Sequence, residues 1–319
     1  MSQGESIEEV AGRFVAHKRA LGRKYNSAQS ELRLLVWFCT ERGVVGIGQL
    51  TPALLDEFLA SRPQGFNHML GVVRCMLDWA VAQQLIEVSP LRARRRRVTS
   101  QPIPFIFDQA QVRRLLEAAG ALPDNARARG RATTCRTIFA LCYGLGLRAG
   151  EACGLRLGDV DQNRRLLVVR GGKFGQSRLV PHGPRIAALL EQQIDRRRRA
   201  GALGDQEPLF TFDDWRCVYP HCASRAFHEL VLALDLPVPA GVSPPRLHSL
   251  RHSFAVGCLL RWYREGLDPA ARLHQLSTFM GHVDPSSTAV YLTITPALLQ
   301  EANRRFERFA EPVWTEAAR

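Results

Sequence analysis

Residues 164–181 read RRLLVVRGGKFGQSRLVP. Two short apolar runs, Leu166-Leu167-Val168-Val169 and Leu179-Val180, flank a segment that holds Gly171, Gly172 and Gly175. Branched side chains suit a pleated, half-buried surface, and glycines between two such runs mark a turn. The stretch predicts two strands, residues 164–170 and 177–181, joined as a hairpin with Lys173 in or beside its turn.

Around this hairpin the pattern is helical. Downstream of Phe107-Asp108, helices are expected over residues 109–119, 133–143, 185–199, 215–234, 249–264, 273–280 and 286–292. Thr295-Pro296 then caps a last helix with Leu299, Ala302, Phe306 and Phe309 on one face. Upstream, four stripes follow the i, i+3, i+4, i+7 rule. They run through Ile7, Val10, Ala11 and Phe14, then Leu32, Leu35, Val36 and Cys39. The third buries Leu54, Leu55, Phe58 and Leu59 behind Thr51-Pro52, an N-cap followed by proline at the first helical position. The fourth holds Phe66, Leu70, Val73, Leu77 and Val81, and Ser89-Pro90 stops it. The expected fold is mainly α with a small antiparallel β-sheet. A four-helix domain (1–88), a basic linker (89–107) and an α+β domain (108–319) divide the chain.

The chain has 319 residues, enough for two domains, and 46% of them are hydrophobic, which argues against global disorder. Its net charge of +13 points to an anionic partner, nucleic acid first and a membrane surface second. No apolar run reaches the ~18 residues of a spanning helix, and the start, MSQGESIEEV, has no secretory pattern. None of the 8 cysteines forms a CxxC pair, and most lie in apolar stretches. Buried reduced thiols in a cytoplasmic protein are expected. Cys217, His221, Cys222 and His228 have metal-ligand atoms, but their spacing matches no common structural zinc site, so no metal is expected.

Arginine carries the charge: of 43 basic residues, only Lys18, Lys24 and Lys173 are lysines. Lys173 is informative against that bias, because a lysine can give up its proton near neutral pH and an arginine effectively cannot. Arg92, Arg94, Arg95, Arg96 and Arg97 make the linker basic. Contact with a DNA backbone is the favoured reading, and a solvated charge run is the alternative. Arg196 to Arg199, at the end of a helix, read as solvated charge.

Against this background an ordered set of residues stands out. Arg148 lies in GLRAGE (146–151), Lys173 in RGGKFG (170–175), and His248, Arg251 and His252 in HSLRH (248–252). His282 follows Gly281, and Tyr291 lies nine residues further on. Cutting a phosphodiester without a metal needs a nucleophile, cations on the non-bridging oxygens and an acid for the leaving oxygen. Tyrosine can be the covalent nucleophile, and arginines are planar, bidentate, permanently charged phosphate donors. His248, Arg251 and His252, at i, i+3 and i+4, reach one side of a helix. Each residue alone has a bland reading: core for the tyrosine, surface for an arginine, chance for HxxRH.

At these spacings the set resembles the tyrosine recombinases, the lambda-integrase or phage integrase family, over nearly the whole chain. The motifs are specific in the C-terminal half and only architectural in the N-terminal half. GLRAGEACGLRLGDVD (146–161) looks like the family's first box, HSLRH like its second, and MGHVDPSSTAVY (280–291) like the stretch ending in the nucleophile. The resemblance implies a helical core-binding (SAM-like) domain and an α+β catalytic domain clamped on double-stranded DNA at a specific recombination site. It implies phosphate clamping by Arg148 and Arg251, Lys173 as acid for the 5′-oxygen, catalytic roles for His248 and His282, and Tyr291 as nucleophile. Glu151 and His252 would support them. The reaction implied runs through a 3′-phosphotyrosyl bond without ATP, metal or other cofactor, in a tetramer on DNA, with accessory factors where the system uses them, in the cytoplasm at the nucleoid. Gly150 and Ala152-Cys153 depart from the first box, and VDPSSTAVYL is closer to recombinases of transposons and other mobile elements than to Xer-type enzymes. A non-catalytic DNA-binding protein of the same fold, a type IB-like topoisomerase and a metal-dependent nuclease are the alternatives. The intact set, the compact layout and the lack of a carboxylate cluster disfavour them in turn.

Overall fold

Ser6 opens the first helix with a reciprocal cap. Its hydroxyl accepts from the Glu9 amide at 3.2 Å, and the Glu9 carboxylate accepts from the Ser6 amide at 3.0 Å. Two amides that a helix start leaves unpaired are thereby satisfied. The computed structural model describes residues 5–23, 25–97, 103–126, 128–171, 177–202, 204–212, 215–281, 291, 298–301, 303, 304 and 307. They fall into two compact units, Met1–Gln101 and Pro102–Arg319.

The first unit is built from α1 (Ile7–Ala20), α2 (Asn26–Thr40), α3 (Pro52–Ala60) and α4 (Phe66–Ala82). The four apolar stripes meet in one core around Phe14, Leu35, Leu55, Phe58, Leu70 and Leu77, all buried. Thr51 caps α3 as expected, its hydroxyl accepting from the Leu54 amide at 3.2 Å. The segment after α4 stays with this unit. Leu91 and Ala93 pack on its core. Arg74 donates to the Ala93 carbonyl at 2.7 Å, and Asn67 and Arg96 exchange two backbone–side-chain hydrogen bonds of 2.8 Å. The Arg96 guanidinium lies over the Phe66 ring, 3.8 Å from its centroid.

The second unit takes up the chain at Ile103, which pairs with Val242, and buries Phe105 and Phe107 in its core. The region expected to link two domains, 89–107, is thus fastened to one unit at one end and to the other unit at its other end. α5 (Gln109–Gly120), α6 (Arg131–Gly144) and α7 (Ala149–Cys153) follow, then the sheet, then α8 (Pro184–Arg199), α9 (Pro220–Leu234), α10 (Leu247–Arg264) and α11 (Pro269–Met280). α6 is the central helix, buried from Thr134 to Cys142 except at Arg136 and packed against α5, α8 and α10. The sheet is antiparallel in the order β1 (Val160–Asp161), β2 (Leu166–Val169), β3 (Arg178–Pro181). Leu167 pairs with both Val160 and Val180, and the alternation along β2 buries Leu167 and Val169. Fold class is therefore as expected, mainly helical with one small antiparallel sheet, and β1 adds a third strand to the hairpin.

Several boundaries differ from expectation. The helix expected over 215–234 begins only at Pro220, because residues before it pair elsewhere: Thr211 bridges Cys217, and the Val218 amide donates to the Phe210 carbonyl at 3.0 Å. α10 starts two residues earlier than expected and α11 four, the latter because Asp268 caps it, accepting from the Ala270 amide at 2.9 Å. The short α7 was not expected. The helix expected over 286–292 lies, apart from Tyr291, outside the described residues, as does much of the last helix. In that helix Leu298 is buried and Leu299 is half exposed, so the inward position is one residue off the expected face. Cys75 and Cys217 are exposed, against the expectation of buried thiols, while Cys39, Cys135, Cys142 and Cys153 are buried. No helix among the described residues is long and apolar enough to cross a membrane.

Candidate active site

The site is organised by one carboxylate. Arg148 is the extended residue that opens α7, and Glu151 is the third residue of that helix. Glu151 accepts from the Arg148 amide at 3.0 Å and from Arg148 Nη1 at 2.7 Å. Arg178, on β3, adds a two-pronged fork: Nη1 to Oε1 at 3.0 Å and Nη2 to Oε2 at 2.9 Å. Arg251, on α10, brings Nη1 to 4.0 Å from the same carboxylate. Burial alone would raise the Glu151 carboxyl. The hydrogen bonds from Arg178 and Arg148 and the Arg178 charge outweigh it and hold the group at about 2, so it is ionised at neutral pH.

The same arginines close the end of α11. Arg178 Nε donates to the Phe279 carbonyl at 2.9 Å, Arg251 Nη2 to Met280 at 2.9 Å, and Arg148 Nη2 to Gly281 at 2.8 Å. The last carbonyls of a helix have no partner within it and form its negative end, so successive guanidiniums there are favourable. Arg251 Nη1 also donates to the Gly146 carbonyl. Three distant parts of the chain are thus locked in one orientation around Glu151. Gly281 ends α11 in the left-handed region at φ 68°, and a Cβ on it would lie 2.7 Å from Arg178 Nη1. Gly281→Ala is expected to lower stability by about 1–2 kcal/mol, from backbone strain and displacement of Arg178. An unchanged denaturant midpoint would contradict this.

Beside this cluster lie the histidines and the tyrosine. The His248 and His252 rings meet edge to face, 4.6 Å between centroids. His252 Nδ1 is 2.8 Å from Tyr291 Oη. The Tyr291 ring is 3% exposed and packs in a cluster with Ala255, Val256, Leu259, Leu276 and Met280. Burial raises the Tyr291 phenol above its ordinary value, and the charges of Arg251 and Arg148 only partly offset this. His248 keeps an exposed edge, yet the dense surroundings and the charges of Arg251 and Arg148 lower it to about 4. Both groups are neutral at pH 7. Burial, then the charge of Arg148, lowers Arg251 to about 10, so it stays a cation.

The residues singled out from sequence fall into three sets. Arg148, Glu151 and Arg251 form the cluster, with His248, His252 and Tyr291 next to it. Lys173 and His282 lie outside the described residues. Arg92, Arg94, Arg95, Arg96 and Arg97 belong to the other unit, where all five are exposed. Sequence reasoning missed Arg178. It shares an inward face with Val180, two residues on, and a charge on the core face of a strand was the readable signal. A surface cavity of about 440 Å³ between α6 and α8, lined by Thr133, Glu191, Asp195 and Arg199 among others, is elsewhere. A duplex backbone is bound on an open surface, so its binding does not require such an enclosure. Among the described residues, no group of three or more His, Cys, Asp or Glu side chains could hold a metal ion. The arrangement therefore offers two guanidiniums gathered on one carboxylate, Arg148 and Arg251, and a buried phenol hydrogen-bonded to an imidazole.

The sequence model of the phage integrase family matches residues 106–297. Across 95% of the chain, the sequence is 34% identical to y4rB of Sinorhizobium fredii, a protein provisionally named an integrase/recombinase, and 98% of that protein is covered. It is 29% identical to the tyrosine recombinase XerC of a Mycobacterium species (strain KMS), covering 93% of this chain and 96% of that one. Among solved structures, the Tn1549 transposon integrase in complex with a circular intermediate DNA superposes with a TM-score of 0.64 at 18% identity, covering 96% of this chain and 100% of that one. A lambda integrase dimer bound to a COC′ core site gives 0.61 at 16% identity, over 90% of this chain and 77% of that one. At those identities the superpositions speak to the fold. The family match and the full-length relatives carry the rest: the chain belongs to the phage integrase family, the tyrosine recombinases, and is a site-specific recombinase that cleaves and rejoins DNA.

Proposed function

We propose that Tyr291 is the nucleophile and that the enzyme works through a 3′-phosphotyrosyl intermediate. Arg148 and Arg251 hold the non-bridging oxygens of the scissile phosphate, with His248 and His282 as further donors to it. Lys173 protonates the departing 5′-oxygen. Glu151 holds the arginines in place, and Arg178 acts with it. The Tyr291 oxygen forms a bond to phosphorus as the bond to the 5′-oxygen breaks. A 5′-hydroxyl from a partner strand reverses the step. Because the phosphotyrosyl bond conserves the phosphodiester energy, no ATP is consumed. The observation that carries the reading is a buried tyrosine whose phenol feels the charge of a buried arginine at the family's motif positions, with Arg148 sharing the same carboxylate.

In this reading the helical first unit grips the core of the DNA site, and Arg92 and Arg94–Arg97 follow the backbone. Two duplexes are held by four subunits, with DNA-bending or accessory factors where the system uses them. The VDPSSTAVYL form favours an integrase or transposase of a mobile element acting at the nucleoid. A non-catalytic accessory role on the same fold is the second reading, and the complete set of catalytic side-chain types disfavours it.

The test uses duplexes drawn from a random pool by affinity for the protein, nicked at successive positions and incubated with it in EDTA. The expected result is a covalent protein–DNA adduct with wild type and none with Tyr291→Phe. Absence of any wild-type adduct would overturn the proposal, and an adduct persisting in the phenylalanine variant would overturn the nucleophile assignment.

A further inference from the structure

A buried tyrosine that attacks phosphorus must lose its proton, and nothing in the roles above receives it. Burial keeps the Tyr291 phenol protonated at neutral pH, so the attack requires a neighbouring acceptor. The residue is only 3% exposed, which leaves little room for solvent to serve as that acceptor. A ring nitrogen lies within hydrogen-bond distance of it: His252 Nδ1, 2.8 Å from Oη. That is the range a general base needs before any substrate arrives. His248, its neighbour on α10, is instead placed where the charges of Arg251 and Arg148 act on it.

We infer that His252 is a catalytic residue, the general base that takes the Tyr291 proton during strand cleavage and returns it during rejoining. In the tautomer with its proton on Nε2, the Nδ1 lone pair faces the hydroxyl. As the Tyr291 oxygen bonds to phosphorus, its proton moves to Nδ1 and His252 becomes an imidazolium. The electron pair of the breaking bond leaves with the 5′-oxygen, which is protonated separately. In rejoining, the 5′-hydroxyl attacks and returns its proton to the group that protonated the 5′-oxygen in cleavage, the phosphotyrosyl bond breaks, and the imidazolium gives its proton back to the phenolate. The ends of the cycle balance, and no co-reactant is needed. α10 makes the geometry rigid: one turn carries His248, Arg251 and His252, so the base and a phosphate donor move together.

The inference rests on the Tyr291 reading, and the experiment separates the two. Single-turnover cleavage of nicked duplex would be measured for wild type, His252→Ala and His252→Asn, each with tyrosine or with the more acidic 3,5-difluorotyrosine at position 291. Asparagine can accept a hydrogen bond and hold the ring, but it cannot take a proton. Both variants are expected to cleave about 100-fold more slowly than wild type. Fluorination should recover roughly tenfold in both variants and change wild type little, since a more acidic phenol depends less on a base. Wild-type rates in the asparagine variant would reduce His252 to a positioning role and overturn the inference. So would an equal effect of fluorination in wild type and variants. Loss of the adduct in wild type would instead count against the Tyr291 reading itself. Thermal melting and duplex affinity identify a variant that has failed to fold, and the fluorotyrosine comparison within any folded variant remains decisive.

Discussion

Arg251→Lys is expected to slow strand cleavage by roughly 10²–10³-fold at saturating DNA, the loss typical of one donor aimed at developing transition-state charge. The substitution appears conservative, but Arg251 does three things at once. It donates to the Gly146 carbonyl, donates to the Met280 carbonyl and presents its charge to the site. A planar fork with five N–H donors can do this; a single ammonium on a flexible stem cannot. Burial adds a second loss. It already draws the arginine to about 10, and lysine begins from a lower ordinary value. The same burial would bring a lysine towards neutrality, so the deficit should deepen as pH rises. Duplex affinity, spread over many phosphate contacts, should change far less than the rate. Cleavage within fivefold of wild type at saturating DNA would show that Arg251 is structural only.

The contrast between Arg251 and Arg178 shows what sequence can carry. Arg251 is visible because HSLRH packs three polar, chemistry-bearing residues into one helical turn, and local periodicity fixes which side they share. Arg148 and Glu151 are visible for the same reason, at i and i+3 in a short box. Arg178 reaches Glu151, on a helix, across 27 positions from a strand, and its third bond goes to a backbone carbonyl. Carbonyls leave no mark in a sequence, and 40 arginines hide the one that matters. The His252–Tyr291 hydrogen bond spans 39 positions and is equally invisible from either window. The fold divides in the same way. Stripes and caps such as Thr51-Pro52 gave the helices, because both are local. β1, two residues long, is too short for any alternation to register, and it exists through pairing with β2. The start of α9 is set by pairing between Phe210 and Val218 together with Pro220, which cannot donate from its nitrogen.

Glu151 is where fold and chemistry are joined most tightly, and Glu151→Gln should show it as a loss of stability at neutral pH. The carboxylate side chain is 5% exposed and faces Arg148, Arg178 and Arg251. Removing its charge leaves three guanidiniums to repel one another without an anion. The shift from the ordinary 4.5 to about 2 corresponds to about 3 kcal/mol of stabilisation. The sign follows from a folded-state value that is depressed: the stabilisation is fully present above the unfolded-state value and is lost as pH falls from about 4.5 towards 2. The difference between wild type and variant should therefore be largest at pH 7 and shrink through that acid window. Calorimetric unfolding followed between pH 7 and pH 3 checks it, and a difference below about 1 kcal/mol or one flat with pH would refute the account. A DNA phosphate between Arg148 and Arg251 would restore an anion to the cluster. Saturating duplex should then raise the variant's melting temperature more than that of wild type, because in the wild-type protein Glu151 already supplies that charge.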